Sequence, residues 1–251
     1  TYTSAGTDLG GASPTFTTSA DTITFGTGNV TVANGTLTVN SVGGLIDFEG
    51  SILGTSDEVL VLNANAATDN ASTNEKVIVA AIGTGNQIHS VSITGRDGIT
   101  LEGNITTSDK ASNNASFTGP VSINAATVVI DTDASNNDGT VTFSSTIDSA
   151  TGTSRNLDIV SATGNVTVTG AIGATTALAS LDINQAGGDG DITLTSNIGA
   201  DASNPGVTGV TRIGNAATAD LNLNGTVYTT GGATTYTSAG TDLGGASPTF
   251  T

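Results

Sequence analysis

Residues 131–139, Asp131-Thr132-Asp133-Ala134-Ser135-Asn136-Asn137-Asp138-Gly139, place three carboxylates and two side-chain amides within nine positions. A hard cation such as calcium is held by oxygen atoms of this kind, with carboxylates supplying the charge. Asp131, Asp133 and Asp138 are therefore the candidate metal ligands, and calcium is the cofactor they would take; nothing else in the sequence requires one. The rival reading is a solvated turn, because Asp, Asn, Ser and Gly all favour turns. Catalytic chemistry is harder to assemble. Carboxylate pairs occur at Asp131 with Asp133 and at Asp189 with Asp191, but a sugar-cleaving cleft also needs basic or aromatic partners. The chain offers five basic residues (Lys76, Arg96, Lys110, Arg155 and Arg212), a lone His89, no Trp and no Cys. His89 has no second ligand type beside it and reads as structural or solvated. The expectation is a non-catalytic protein.

Two loops match known calcium folds in part. The segment from Asp131 departs from the EF-hand: its sixth position is Asn136 rather than Gly, and its twelfth is Thr142 rather than Glu. Gly187-Gly188-Asp189-Gly190-Asp191 resembles the calcium-binding nonapeptide β-roll repeat, but its second Asp falls one place early and the motif is not iterated. Formal net charge is −17, from 22 acidic and 5 basic residues, and the basic ones are scattered. Nucleic-acid recognition needs clustered Lys and Arg to displace counterions, so no such partner is expected. No run approaches the roughly 20 apolar residues of a membrane-spanning helix, so no membrane insertion is expected in this segment. Without cysteine there is no disulfide framework.

The elements that would carry these loops are short strands. Val30-Thr31-Val32, Leu37-Thr38-Val39, Val91-Ser92-Ile93 and Ile99-Thr100-Leu101 alternate apolar and polar residues with a period of two. Lys76 to Ile82 is the most apolar run, and Asn34-Gly35 is a tight-turn signal. Polar loops run from Asn63 to Glu75 and from Thr106 to Ser116. Ala174 to Leu181 is the best candidate for a helix, and its pattern is short. In the last third, similar phrases recur at comparable intervals, from Val166 to Ile192, from Ile192 to Leu221 and from Leu157 to Leu181. A recurrence of this length fits one rung of two or three strands. Thr-x-Thr runs such as Thr22-Ile23-Thr24 would suit an ice-binding face only if they formed a flat, regular array. Rung length varies, which favours ordinary outward-facing threonines.

The first 17 residues, TYTSAGTDLGGASPTFT, return unchanged as residues 235–251. The chain reads as one 234-residue unit, residues 1–234, followed by the start of the next identical unit, residues 235–251. A fixed long period is the signature of a stacked array in which each unit touches only its neighbours. Together with the rung-like spacing, it favours an all-β fold, a parallel β-helix (β-solenoid), open-ended and continuing into the next tandem unit. At about 25 residues per rung a unit has about nine rungs, and at a strand spacing of ~4.8 Å it rises about 45 Å.

The phrases GNVTVTGAIG (Gly164 to Gly173), GDITLTSNIGA (Gly190 to Ala200) and ADLNLNGTVYTTGGATTYTSAG (Ala219 to Gly240) resemble the repeat region of large bacterial exoproteins, the filamentous-haemagglutinin-like or "β-strand repeat" surface adhesins. The resemblance is one of style over most of the chain and rests on no single motif. It implies a parallel β-helix, secretion to the cell surface, and service as a stalk, filament or adhesive surface. The expected partners are identical units head to tail, with lateral copies in a fibre or glycans of another cell as further ones. The expected role is structural. The alternative is a glycan- or cell-binding module whose polar loops (Asn63 to Glu75, Thr106 to Ser116 and Asp131 to Gly139) make the contacts, with or without calcium.

Overall fold

The computed structural model describes residues 1–19, 21–55, 57–65, 74–133 and 135–251. Among them there is no helix; the chain winds as a parallel β-solenoid of about ten coils. Each coil lays one strand, or a single bridging residue, on each of three faces. The first coil places Tyr2 opposite Phe25 on face 1, Gly6–Leu9 on face 2 and Thr15–Thr18 on face 3. The second coil repeats the order with Ile23–Phe25, Asn29–Val32 and Thr36–Ser41. The tenth coil has Val227–Tyr228, Thr234–Tyr236 and Gly240–Asp242, and Thr249–Phe250 then opens a further turn on face 1. Face 3 is the most complete, a single ten-stranded sheet.

Alternation within each strand creates the core. On face 3 the inward column Val39, Leu62, Ile93, Phe117, Phe143, Val168 and Leu194 stacks residue on residue, and every member is buried. Burying an aliphatic or aromatic side chain contributes about 1.5–3 kcal/mol relative to leaving it exposed, and the column repeats that gain at each coil. Large rings fit the narrow interior by stacking along the axis: Phe25 lies 4.4 Å from Phe48 and Phe117 4.7 Å from Phe143, with interplanar angles of 11° and 15°. The backbone ladder runs along the same axis, so interior coils have both edges paired and raw edges are left only at the ends.

Coil length varies without disturbing the faces. The coil from Asn222 to its partner Asp242 is short, whereas the coil from Leu62 to Ile93 is half as long again. The surplus goes into the corners. Outside the core, Ser92, Ser116, Thr142, Thr167 and Thr193 therefore form an unbroken outward row on face 3, one coil apart each. Irregular rung length thus gives no ground against a regular hydroxyl array.

Three local signals take a definite form in the structure. Asn34-Gly35 turns the chain, as its tight-turn signal predicts, without reversing it. Gly35 has φ +68° and turns the corner between the face 2 strand Asn29–Val32 and the face 3 strand Thr36–Ser41. The apolar run from Lys76 bends after its strand Lys76–Val79, so that Val79 lies on face 1 and Ile82 bridges Ile52 and Ile105 on face 2. Ala174 to Leu181 is not helical: Leu178 bridges Val207, and Ser180–Ile183 is a strand. In each case the partner one coil away decides the conformation.

Candidate functional site

At the corner between faces 2 and 3, successive loops stack into a polar ridge. Asp131 ends the strand Thr127–Asp131 and accepts the Asp133 N–H at 3.0 Å. Burial raises the Asp131 carboxyl above its ordinary value; the Asp133 N–H opposes that shift and the Asp133 charge adds to it. Asp133 is also raised, first by burial and then by the charge and hydrogen bond of Asp138. Asp138 Oδ2 accepts the Thr163 N–H at 3.1 Å and the Thr163 hydroxyl at 2.6 Å, one coil on. Asp131, Asp133 and Asp138 thus lie on one loop, with Asp138 engaged in fastening it to the next coil. Among the described residues no three His, Cys, Asp or Glu side chains form a group able to hold a metal ion. Ala134 within this loop, and residues 66–73 of the loop from Asn63 to Glu75, lie outside the described residues.

Other ridge side chains do the same work. Asp109 accepts the Asn136 N–H at 3.1 Å, Asn136 Nδ2 at 2.7 Å and Asn137 Nδ2 at 3.0 Å, and these bonds hold its carboxyl below its ordinary value. Buried Asn113 donates from Nδ2 to the Thr132 carbonyl at 3.1 Å and the Asn137 carbonyl at 3.0 Å. His89 Nε2 lies 3.0 Å from the Ala111 carbonyl, and Lys110 Nζ lies 2.8 Å from Asp57 Oδ1. Further along, Asn184 reaches Ser161, and Asn215 reaches the Asn184 carbonyl at 2.6 Å. Of the pair Asp189 and Asp191, Asp191 accepts the Asp220 N–H at 3.2 Å, one coil on.

Two buried carboxylates escape sequence reasoning. Glu58 is buried and accepts the Thr55 hydroxyl at 2.5 Å and the Thr55 N–H at 2.6 Å. Burial works against its charge, but the hydrogen bonds from Thr55 prevail and hold the carboxyl below its ordinary value. The spacing Thr55-x-x-Glu58, which sets a hydroxyl and a carboxylate one turn apart, was the available signal. Glu75, fully buried, meets Arg96 Nε at 2.5 Å; no sequence signal links residues that become neighbours only through the winding.

The second candidate site is the pair of end coils, where the repeated segment folds twice in the same way. Tyr2 and Phe16 meet edge to face at 5.2 Å, and their copies Tyr236 and Phe250 do so at 5.6 Å. Ser4 donates to the Gly6 carbonyl at 2.6 Å as Ser238 donates to the Gly240 carbonyl at 2.5 Å. Ser13 has φ 54° and Ser247 φ 53°. The copies differ in which edge is covered. Tyr2 stacks on Phe25 of the following coil at 5.0 Å, while Phe250 stacks on Tyr228 of the preceding coil at 5.0 Å. Thr15 and Phe16 pair with Thr38 and Val39; Thr249 and Phe250 pair with Val227 and Tyr228. Each end is consequently an open, aromatic-lined depression, with Tyr2, Phe16 and Ile23 at one and Tyr228, Tyr236 and Phe250 at the other. Tyr2, Leu243 and Phe250 are the most exposed large apolar residues among those described, at 46%, 48% and 44%.

Comparison with known proteins returned no matching family model, curated protein or solved structure. No helix among the described residues is long and apolar enough to cross a membrane.

Proposed function

We propose that this chain is a structural repeat unit of a long extracellular bacterial fibre or adhesin stalk, non-catalytic and joined head to tail to identical units. The observation that carries this reading is the repeated coil: one copy is covered on its following edge, the other on its preceding edge, and the two share one local conformation. Superposed, they describe a single coil with both edges paired, as an interior coil of a continuous stack would be. The ridge supports the same reading, since its polar groups tie coil to coil. Cryo-EM of the native, full-length material is the test. A thin continuous thread with a unit rise of roughly 45 Å, at ~4.8 Å per coil, is expected. Discrete globules on extended linkers would overturn the stack.

The ridge also supports a second reading, an adhesive module in which the loops at residues 106–116 and 131–139 contact glycans through calcium. Its test is retention of the chain on a glycan array. Binding that is lost with EDTA and with Asp133→Asn would make adhesion the primary role, and no calcium-dependent binding would leave the structural one.

A further inference from the structure

The two copies of the repeated segment lie on different faces. Tyr2 belongs to face 1, where it bridges Phe25, but Tyr236 belongs to face 2, opposite Ile213. Gly6–Leu9 lies on face 2, and its counterpart Gly240–Asp242 lies on face 3. Thr15–Thr18 lies on face 3, and Thr249–Phe250 lies on face 1. All three parts move by one face in the same sense, and the local conformation is kept. Face 1 can be followed from Tyr2 through the strands of Phe25, Phe48, Val79, Leu101, Ile123 and Ile147, then Ile172 and Ile198, to Tyr228, always one coil at a time. Tyr228 lies about nine coils above Tyr2, and Tyr236 is one face further on. The 234-residue period therefore holds about nine and one-third coils.

We propose that successive units of the array are turned by one face about the fibre axis, so that only every third unit presents its faces in the same directions. This rests on the tandem reading above. In such an array face 1 of one unit runs into face 3 of the next, face 2 into face 1, and face 3 into face 2, with no break in any ladder. Three units make about twenty-eight coils, a full period of roughly 135 Å at ~4.8 Å per coil.

The contacts at a turned junction are already visible in halves. Tyr236, which touches Tyr228 at 6.3 Å, would gain the Phe25 stack that Tyr2 makes at 5.0 Å. Phe250, stacked on Tyr228, would gain the Val39 pairing that Phe16 makes. The exposed rings at both ends would close into one aromatic cluster. The glycines agree. A Cβ on Gly11 would meet nothing within 4 Å, whereas on its copy Gly245 it would lie 2.0 Å from the Gly225 carbonyl. The segment carries glycine where the turned placement, above Gly225, demands it.

The test uses a two-unit chain, residues 1–234 followed by 1–251, with paired cysteines that the natural sequence lacks. One variant joins Val227→Cys of the first unit to Thr15→Cys of the second; another joins Asn222→Cys of the first unit to the same Thr15→Cys. The pair Thr15→Cys and Thr38→Cys within the second unit, neighbours on face 3, sets the disulfide yield for adjacent coils after diamide oxidation. The turned junction predicts the control yield for Val227 and at least about a tenfold lower yield for Asn222. A high yield at Asn222 with none at Val227 would overturn the rotation and leave a straight, unturned stack. Loss of both, with the control intact, would overturn the rotation and the continuous array together.

Discussion

On the outer side of face 2, Asp158 lies opposite Asp182 of the next coil, and Arg212 of the coil beyond reaches Asp182 at 3.5 Å. Among the described residues Asp158 has no such cation. Burial raises its carboxyl above the ordinary 3.8, and the charges of Asp182 and Asp131 add to the rise. The folded chain thus holds this proton more tightly than the unfolded chain does. Stability falls as pH climbs from the ordinary carboxyl range through the raised folded value, and the penalty persists above it. Asp158→Asn should stabilise the protein at pH 7 and have no effect at a pH below the ordinary value. Solvent screening at this half-buried position keeps the gain to about 1 kcal/mol or less. Denaturant titration at pH 7 and pH 3 measures both arms, and an equal gain at the two would remove the electrostatic account. The vertical neighbours of this residue were legible beforehand. The phrase Leu157-Asp158-Ile159 recurs as Leu181-Asp182-Ile183, and the interval between the two is the actual coil register. Arg212 was not legible as a partner, because nothing in the spacing marks which basic residue shares the face.

At the scale of elements, the corners show how tightly the winding is packed. Ahead of face 3, Gly139, Gly164 and Gly190 stack in a column. A Cβ on Gly164 would lie 2.1 Å from the Gly139 carbonyl, and one on Gly190 would lie 2.2 Å from the Gly164 carbonyl. Close approach of backbone to backbone, with no unusual φ, requires glycine here. Gly164→Ala should cost about 1–3 kcal/mol through overpacking of two coils, and Gly11→Ala in the 251-residue chain should be close to neutral. Thermal or urea unfolding of the two variants checks the contrast; equal losses would show that the corner relaxes. The strands were legible because alternation marks the inward column: Val166, Ile192 and Leu221, found by their recurrence along the chain, are true partners in successive coils. The corners were not. Asn34-Gly35 carries the chemistry of a hairpin turn, and only the third face explains why the chain turns without reversing. The hydroxyl row on face 3 was missed for the same reason, since coil lengths obscure a regularity that exists only on one face.

For the whole molecule, the end coils have one neighbour where interior coils have two, so stability should rise with the number of units. Joining a second unit should raise the unfolding midpoint, and it should slow amide exchange of residues 235–251 by at least about tenfold as their open edge is paired. Exchange measured by mass spectrometry on one-unit and two-unit chains checks this; unchanged rates would mean that the added unit does not stack. The identical 17-residue segments made the periodicity legible from the sequence, and the estimate of nine coils was close. The remaining third of a coil was hidden, because it depends on how each loop divides its residues among the corners.

The loops of the polar ridge, at residues 107–114, 132–140 and 184–191, all project from one corner, between faces 2 and 3. A straight stack of such units would be a lopsided rod, stiffer in one plane than in another and bent by any mismatch between its bare and loaded sides. Units turned by a third of a revolution spread the same asymmetry evenly around the axis. A cross-section that recurs at three equally spaced angles resists bending equally in every direction, so intrinsic curvature in one unit is cancelled by the two that follow. Lopsided parts would in this way build a straight thread that yields alike to drag from any side.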